Sequence, residues 1–243
     1  MKAVLFGLLT GAVVTAPTNA YAESSGFVEA NLLSIFYHEL GHAVIDIEGV
    51  PIFGQEEDAA DVFSILLIHA FFESESAEAL AYDAALGFWG EAEFAKQEGV
   101  EPAWWDTHGP DEQRFYNTAC IFYGADPEAR GGYAKDLGLP EDRAEGCAEE
   151  FELAMASWGA VLDSLEERGS GNSLVFDAPD DSLTSQIVAE EIEALNASLS
   201  LSDTLTIVVE SCGEANAFYD PNDRSIVMCS EFEDHLKVLQ DLL

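Results

Sequence analysis

Positively charged residues are scarce in this chain. Nine of its 243 residues are Lys or Arg, whereas 47 are Asp or Glu, so the formal net charge at pH 7 is −38. A surface with this excess of negative charge repels nucleic acids and anionic lipids, because both are polyanions. The composition therefore argues against a nucleic-acid partner, and it predicts a protein that a solvated acidic shell keeps dispersed in water.

Long hydrophobic runs are also missing. The longest apolar stretch, Ala3 to Val14, is shorter than the roughly 20 residues that a membrane-spanning helix needs. It follows the basic residue Lys2 and precedes Ala20-Tyr21-Ala22, an order typical of a secretory signal peptide. We therefore expect residues 1–22 to be a signal peptide cleaved after Ala22, with a retained anchor as the alternative. The mature protein would then be periplasmic or secreted, without a membrane span.

Cysteine occurs only four times, at Cys120, Cys147, Cys212 and Cys229. These spacings match no common zinc-finger pattern, and an even number of cysteines in an exported protein indicates disulfides. Three connectivities are possible from the sequence. We favour Cys120–Cys147 and Cys212–Cys229, because each pair lies within one local segment. Two such pairs would leave no thiol for catalysis.

The hydrophobic content of 48% is sufficient for a folded core. Helical patterns dominate up to residue 168, and Leu205 to Val209 is β-branched and predicts a strand. Two short segments, Ala217 to Tyr219 and Ser225 to Met228, flank a polar turn and predict a hairpin. We predict a predominantly helical α+β protein with a small C-terminal hairpin or sheet. Residues 23–243 would form one domain, with a helical part at 23–168 and a smaller α+β part at 172–243.

The string His38-Glu39-Leu40-Gly41-His42 carries the clearest chemical meaning. Apolar residues recur every three to four positions around it, which predicts a buried helix. Residues four apart lie on one face of a helix, so both imidazoles can reach one ion. Glu39 points to the side where a metal-bound water would lie. Two nitrogen ligands and a carboxylate base are the minimal set for zinc-dependent amide hydrolysis, although a histidine pair on a helix can also be ordinary surface.

A catalytic zinc ion needs a third protein ligand and one open position. Glu57, at the start of the next apolar segment, is our candidate, and Asp61 lies four residues later on the same face. Asp61 could accept the second ring N–H of a ligating imidazole and fix its tautomer. Acidic residues also accumulate at helix N-termini for electrostatic reasons. That explanation suits Glu56 and Asp58 but not Asp61, because Asp is a weak helix former beyond the first turn.

These residues carry a family resemblance. The H-E-x-x-H motif followed by E-x-x-A-D, ending at Asp61, resembles the pattern of gluzincin peptidases. Over a longer stretch the chain is similar to the DUF4344 family of metallopeptidases, in Tyr37 to Asp61, Asp111 to Asn117 and Ala217 to Cys229. The resemblance implies a zincin-like pair of active-site helices. It also implies one Zn²⁺ ion on His38, His42 and Glu57, with Glu39 as base. The short gap between His42 and Glu57 departs from better-known gluzincins and requires a tight connection.

Peptide hydrolysis also needs a hydrogen-bond donor for the oxyanion that forms at the carbonyl. Candidates are His108, Arg114, Tyr116 and Tyr219. The resemblance covers the last three, while His108 lies in a predicted loop and could instead be an additional ligand. For each one taken alone, a structural hydrogen bond is the commoner role.

The sequence therefore predicts an exported zinc peptidase that hydrolyses a peptide or protein substrate by metal-activated water, with Glu39 as general base. Two alternatives belong to other classes: a non-catalytic zinc-binding protein that uses the metal for folding, and an exported interaction module that works through its acidic surface. The intact Glu39 disfavours both alternatives, because neither role requires a base at that position.

Overall fold

Ten α-helices and one four-stranded sheet make up the part of the chain that the structure, a computed structural model, describes: residues 26–177 and 180–243. The predicted signal peptide, residues 1–22, lies outside the described residues. The helices are α1 (Gly26–Glu48), α2 (Glu56–Phe71), α3 (Ser74–Glu98), α4 (Asp111–Gly124), α5 (Gly131–Asp136), α6 (Glu141–Ala144), α7 (Cys147–Ala154), α8 (Ala160–Glu167), α9 (Leu183–Ser198) and α10 (Glu231–Gln240). The strands are β1 (Leu174–Asp177), β2 (Leu205–Glu210), β3 (Ala217–Asp220) and β4 (Ser225–Cys229). The protein is thus a predominantly helical α+β protein, as predicted.

Helix α1 lies at the centre of the helical part. Most of its 23 residues are buried, because α2, α3, α9, α10 and the sheet all pack against it. The apolar stripe predicted around the H-E-x-x-H motif supplies this packing, with Phe36, Leu40 and Val44 almost fully enclosed. The largest helix–helix interface joins α1 to α2. The connection between them, residues 49–55, is short, and it brings the first turn of α2 beside the second half of α1.

Helices α3 and α4 cover the other side of this pair. Helix α4 packs against both α2 and α3, and the connector at residues 99–110 contains no regular secondary structure. It carries His108 and ends at Pro110, which precedes α4. Two tryptophans in the connector, Trp104 and Trp105, are 78% and 86% exposed, so the connector contributes little to the core.

The sheet has the strand order β1-β2-β4-β3. Strands β1, β2 and β4 run parallel, with α9 crossing between β1 and β2, and β3 pairs antiparallel with β4. The predicted strand at residues 205–209 and the predicted hairpin correspond to β2, β3 and β4. Alternate residues on one sheet face, such as Leu205, Ile207 and Ile226, are fully buried. Helix α1 packs against β3 and β4, and this contact joins the sheet to the helical part.

Two features of the structure go beyond the predicted elements. Strand β1 is four residues long and follows directly on a polar break, so its pattern is too short to predict a strand. The helical pattern up to residue 168 is interrupted, because a π-helical turn at Met155–Gly159 joins α7 to α8. This turn directs the buried ring of Trp158 onto Phe63 of α2, with the ring centroids 4.7 Å apart. A π turn adds a residue to the helix and re-aims the side chains that follow.

Polar contacts and disulfides reinforce this arrangement. The hydroxyl of Tyr37 donates a hydrogen bond of 2.6 Å to Glu191, which ties α1 to α9 in the core. The structure contains both favoured disulfides, Cys120–Cys147 and Cys212–Cys229. Two disulfides fit a protein exported to an oxidising compartment. Within residues 26–177 and 180–243, no helix combines the length and the hydrophobicity that crossing a membrane requires.

Candidate metal centre

Three side chains from α1 and α2 converge on one point. The Nε2 atoms of His38 and His42 are 3.2 Å apart. The Oε2 atom of Glu57 lies 3.2 Å from the first nitrogen and 3.1 Å from the second. The two histidines meet because they are four residues apart on α1, and the glutamate joins them from the first turn of α2. The three atoms form a nearly equilateral triangle.

The size of this triangle can be tested against a metal ion. Zinc binds imidazole nitrogen and carboxylate oxygen at about 2.0–2.1 Å in a tetrahedral arrangement, which separates neighbouring ligand atoms by about 3.3 Å. The observed separations of 3.1–3.2 Å are within about 0.2 Å of that value. The donor set, two neutral nitrogens and one carboxylate, is also a combination that zinc uses with an open fourth position. The three residues therefore fit a divalent metal of this kind.

The other ring nitrogen of each histidine is also held by a carboxylate. Nδ1 of His38 lies 2.7 Å from Oδ1 of Asp61, and Nδ1 of His42 lies 2.8 Å from Oε1 of Glu56. Each carboxylate is placed to accept a hydrogen bond from Nδ1–H, so Nε2 is the ring atom that each histidine would offer to a metal ion in place of a proton. Two such nitrogens and the Glu57 carboxylate facing one another require a positive charge between them, which a proton or a metal ion supplies.

Asp61 is itself fixed by Arg114 of α4. The guanidinium donates two parallel hydrogen bonds of 2.8 Å, from Nε to Oδ2 and from Nη2 to Oδ1. Both side chains are largely buried, at 16% and 12% exposure. The bidentate geometry leaves the carboxylate little freedom to rotate, so the orientation of the His38 ring depends on a residue that lies 76 positions further along the chain.

The ionisation of these groups reflects the same electrostatics. Burial opposes the charged imidazole of His38, but hydrogen bonds to Asp61 and Glu57 outweigh it and raise its pKa to about 9. Burial opposes the ionised form of Glu57 as well, yet the three imidazoles of His108, His38 and His42 hold its pKa far below its usual range. Both directions follow from the geometry, in which the Glu57 carboxylate lies within hydrogen-bond distance of the imidazoles.

Glu39 lies beside this cluster. Its side chain is carried by α1 one position after His38, and the residue is 7% exposed. Burial raises the pKa of the Glu39 carboxyl above its ordinary value, and the nearby imidazoles of His38 and His42 oppose this shift in part. A carboxylate with an elevated pKa takes a proton more readily, which is the property required of a general base near neutral pH.

The cluster lines a cleft of about 1710 Å³. Its walls come from α1, the first part of α2, the C-terminal half of α3, the 99–110 connector, α4, β3 and α10. Cleft-lining residues include His38, Glu39, His42 and Glu57. The triangle of ligand atoms therefore lies at the wall of this cleft.

The four additional candidates have different positions. His108 is brought to the cluster, with Nε2 2.9 Å from Oε2 of Glu57, and it forms with Glu57 and His38 a second group whose ligand atoms lie within 4.8 Å of one another. Arg114 holds Asp61, as described above. Tyr219 lines the cleft and donates a 2.8 Å hydrogen bond to Asp46. Tyr116 packs against the core, with its ring 5.0 Å from that of Phe115, and it is not among the cleft-lining residues.

Two contacts of the cluster differ from what the sequence predicts. Glu56 fits the pattern of an ordinary helix N-terminal acid, but its carboxylate holds His42. Arg114 is a candidate oxyanion donor by its sequence, whereas the structure pairs it with Asp61. The placement of His42 and Glu56 on either side of a short α1–α2 connection is a signal that could have indicated the first contact. No local signal marks the second, because its partners come from separate helices.

Gly41 allows the two helices to approach closely enough to close the triangle. A Cβ at this position would lie 3.1 Å from the Ala60 backbone and 3.2 Å from the Phe63 ring. We expect Gly41→Ala to push α2 away by a few tenths of an ångström and to weaken zinc binding about tenfold, because the metal requires all three ligand atoms at fixed distances. Competitive chelator titration measures the affinity. Gly132→Ala is the control, since its Cβ would meet nothing within 4 Å; equal zinc affinity in both variants would contradict the prediction.

Comparison with known proteins agrees with these observations. The profile of the DUF4344 family, described as "Putative metallopeptidase", matches residues 13–162 and 180–241, most of the chain. The match includes α1, α2 and α4, which build the cluster, and the C-terminal strands β2, β3 and β4. No curated protein and no solved structure matches this chain.

Proposed function

The chain belongs to the DUF4344 family, and from this membership we propose that it is a zinc-dependent peptidase of the H-E-x-x-H type. In this proposal His38, His42 and Glu57 bind one zinc ion, and Glu39 is the general base. The observation that carries it is the triangle of ligand atoms with edges of 3.1–3.2 Å, which opens into a cleft beside a buried carboxylate.

The residues of the chain divide the chemistry between them. When bound, zinc supplies a Lewis acid that makes water a nucleophile at neutral pH. Glu39 would accept a proton from the attacking water and would then pass it to the departing amine nitrogen. Asp61 and Glu56 hold the Nδ1 protons of His38 and His42, so that both rings keep Nε2 directed at the metal position.

His108 is our candidate for the group that stabilises the oxyanion. Its ring is 47% exposed on the 99–110 connector, at the border between the cluster and the cleft. A donor at this border can reach a substrate carbonyl oxygen without replacing any of the three proposed ligands. Tyr219 is the other candidate that lines the cleft. Both donors already have a partner, since Nε2 of His108 contacts Glu57 and the Tyr219 hydroxyl donates to Asp46.

The position of the cluster at the wall of the cleft favours catalysis over a folding role for the metal. A structural zinc site is closed by four protein ligands, whereas a catalytic site keeps one position for water. Here three ligand atoms form the triangle, and the residues that carry them all line the cleft. The alternative, a closed site with His108 as a fourth ligand, is the second candidate because of the 2.9 Å contact between His108 and Glu57.

We also propose that the mature protein acts outside the cytoplasm. The two disulfides support this setting, as does the N-terminal segment that resembles a signal peptide. The proposed substrate is a peptide or an unfolded segment of a protein, in line with the description of the family and with a cleft volume of about 1710 Å³.

Metal analysis tests the proposal. The purified protein is expected to contain one zinc ion per chain and to hydrolyse a mixed peptide library, and a chelator is expected to remove both the metal and the activity. Chelation should also lower the melting temperature, because zinc binds the folded state selectively. A spectroscopic zinc assay and mass spectrometry of the peptide products provide the measurements.

A matched histidine pair controls this experiment. His42→Ala should lose the zinc ion, whereas His235→Ala should retain it, since His235 lies on α10 and contacts Glu91 rather than the cluster. A protein that binds one zinc tightly but yields no peptide products would favour the structural-zinc alternative. A protein that binds no zinc at neutral pH would overturn the proposal.

A further inference from the structure

The exposed aromatic side chains of this protein are concentrated around the cleft. Among the residues that the structure describes, the exposed Phe, Trp and Tyr side chains are Phe53, Trp104, Trp105 and Phe218. Phe218 lines the cleft itself, and the other three lie on the 49–55 and 99–110 connectors, both of which contribute cleft-lining residues. Exposed apolar residues scattered singly are ordinary, but their concentration around one cleft indicates an interaction surface.

Trp104 and Trp105 occupy the two central positions of a turn. The Asp106 N–H donates a 2.9 Å hydrogen bond to the Ala103 carbonyl, which closes the turn around the two tryptophans. Central turn positions favour Pro, Asp, Asn, Gly and Ser, so the turn does not require tryptophan. The hydrophobic core does not require it either, because both side chains remain mostly exposed. A binding role accounts for two large residues that neither the turn nor the core needs.

This turn lies at the rim of the cleft. Ala103 and Asp106, which flank the tryptophans, both line the cleft. The same connector continues to His108, whose Nε2 atom lies 2.9 Å from the Glu57 carboxylate. A polypeptide that enters the cleft across this connector would therefore meet the tryptophans before it reaches the proposed metal ligands.

The charges near the turn have one sign. No Lys or Arg occurs between Lys96 and Arg114, whereas Asp106 directly follows the two tryptophans and Asp111 begins α4. The Asp106 side chain is 44% exposed, so its carboxylate is accessible to a partner. The rim of the cleft thus combines large aromatic surfaces with negative charge.

The two nearest cations are already neutralised. The Lys96 Nζ atom lies 2.8 Å from Glu112 and 2.9 Å from Glu93, and Arg114 is held by Asp61 as described above. This leaves the connector without a positive group that could pair with an anionic partner. Complementary charges bring partners together and like charges exclude the wrong ones, so the rim favours a cationic partner.

The aromatic and the acidic groups favour the same kind of partner. The face of an indole ring attracts the ammonium group of Lys and the guanidinium group of Arg, and it also buries apolar side chains. A carboxylate next to the ring adds an ion pair with the same cation. A polypeptide segment that carries both positive and apolar side chains can use all of these interactions at once.

We propose that Trp104, Trp105 and the carboxylate of Asp106 form a docking surface for a substrate segment that is cationic and carries apolar side chains. The inference rests on the proposed peptidase function, and it adds a preference for particular side chains. Segments rich in Asp and Glu are poor substrates, because the rim repels them. The surface acts on substrate binding rather than on the chemical step, since neither tryptophan belongs to the cluster of proposed metal ligands.

Three short peptides of matched length test the proposal: one alternates Lys and Leu, one alternates Glu and Leu, and one alternates Lys and Ser. Their affinities for the zinc-loaded Glu39→Gln protein, which is expected not to cleave them, are measured by fluorescence anisotropy. The Lys–Leu peptide is expected to bind about tenfold or more tightly than either of the others, and less tightly at high salt. Its binding should also shift the tryptophan emission to shorter wavelength, because exposed indoles leave water. Equal affinities for the Lys–Leu and Glu–Leu peptides would overturn the inference.

Variants of the turn locate the docking surface. Trp104→Ala/Trp105→Ala is expected to weaken the binding of the Lys–Leu peptide about tenfold or more, with zinc content and melting temperature preserved because both side chains are exposed. The double variant to Phe should retain much of the affinity, since it keeps the aromatic faces. Leu153→Ala is the control, because Leu153 is 65% exposed on α7, which contributes no residue to the cleft. Wild-type affinity in the folded double alanine variant would contradict the inference.

The outcomes separate this inference from the function on which it rests. Chelator-sensitive hydrolysis with no preference for cationic peptides would leave the peptidase proposal intact and refute the docking surface. Tryptophan-dependent binding of the Lys–Leu peptide to a protein that cleaves no peptide would refute the peptidase proposal and retain the surface. Two other occupants would overturn the inference. A dimer that dissociates in the double alanine variant would indicate a second copy of the chain, and tryptophan-dependent binding to neutral phosphatidylcholine vesicles would indicate a lipid surface.

Discussion

Replacing Glu39 by Gln is expected to lower the turnover number by about 10²–10⁴-fold while one zinc ion per chain remains bound. General-base catalysis contributes this order of magnitude, and Gln cannot accept a proton at neutral pH. Gln has nearly the same size as Glu, so it fits the buried position, which is 7% exposed. Zinc should stay bound because Glu39 contributes no atom to the triangle of proposed ligands. Steady-state kinetics on a fluorogenic peptide, together with zinc analysis of the same sample, provide the measurement.

A second glutamate serves as the control for this substitution. Glu101 lines the cleft on the 99–110 connector, so Glu101→Gln makes the same change of charge in the same cleft without touching the cluster. Its turnover number is expected to remain within about twofold of the wild-type value. Glu39→Gln protein that keeps its zinc and its full activity would rule out Glu39 as the base, and loss of zinc from that variant would indicate that Glu39 is a ligand instead.

The raised pKa of Glu39 also predicts how the rate of hydrolysis depends on pH. Burial raises the pKa of the carboxyl above its ordinary value, and a general base works only in its ionised form. The rate of the wild-type enzyme is therefore expected to fall on the acidic side of neutrality, at a pH above that at which a solvent-exposed glutamate is protonated. In Glu39→Gln the residual rate should lack this acidic limb.

Local sequence patterns were sufficient for the elements that build the site. The spacing of His38 and His42 is a property of a single helix, and the buried stripe around it identifies that helix. Glu57 and Asp61 are related in the same way on α2. The short connection between the helices then brings the two pairs together, so the triangle follows from three local features and one tight turn.

The interactions that support the cluster depend on tertiary packing. Arg114 reaches Asp61 because α4 crosses α2, and a crossing of that kind leaves no periodic trace in the sequence. The approach of His108 depends on the path of an irregular connector. Strand β1 is a further example, since its four residues become a strand only by pairing with β2. None of these three contacts can be predicted from a local sequence pattern, because in each case the partner lies far away along the chain.

The position of strand β3 illustrates how tertiary contacts decide which elements lie beside the site. The sequence predicts the β3–β4 hairpin from its turn residues, but it does not indicate which strand is outermost. Only the pairing of β2 with β4 makes β3 an edge, and only the packing of α1 places that edge beside His42. The position of β3 beside the H-E-x-x-H helix is therefore a consequence of the topology.

The second large effect concerns the pair of Asp61 and Arg114. Asp61→Ala is expected to destabilise the protein by about 3 kcal/mol, because it leaves the guanidinium of Arg114 largely buried without its bidentate partner. It is also expected to weaken zinc binding about 10–100-fold, since the carboxylate that orients the His38 ring is lost. Chemical denaturation and chelator competition measure the two quantities separately. Glu112→Ala, which breaks an exposed ion pair with Lys96, should change stability by less than about 1 kcal/mol.

The double variant Asp61→Ala/Arg114→Met distinguishes the two roles of this pair. Removing the unpaired charge should restore much of the stability, because a buried ion pair can often be replaced by apolar residues without loss. Zinc affinity should remain low, because the methionine side chain cannot orient His38. Burial opposes the ionised form of Asp61, but Arg114 outweighs it and holds the pKa of Asp61 well below its usual range, so the contribution of the pair is present at neutral pH and is lost only in strong acid. Recovery of zinc affinity together with stability in the double variant would show that Asp61 supports the fold alone, and that the His38 ring is oriented without it.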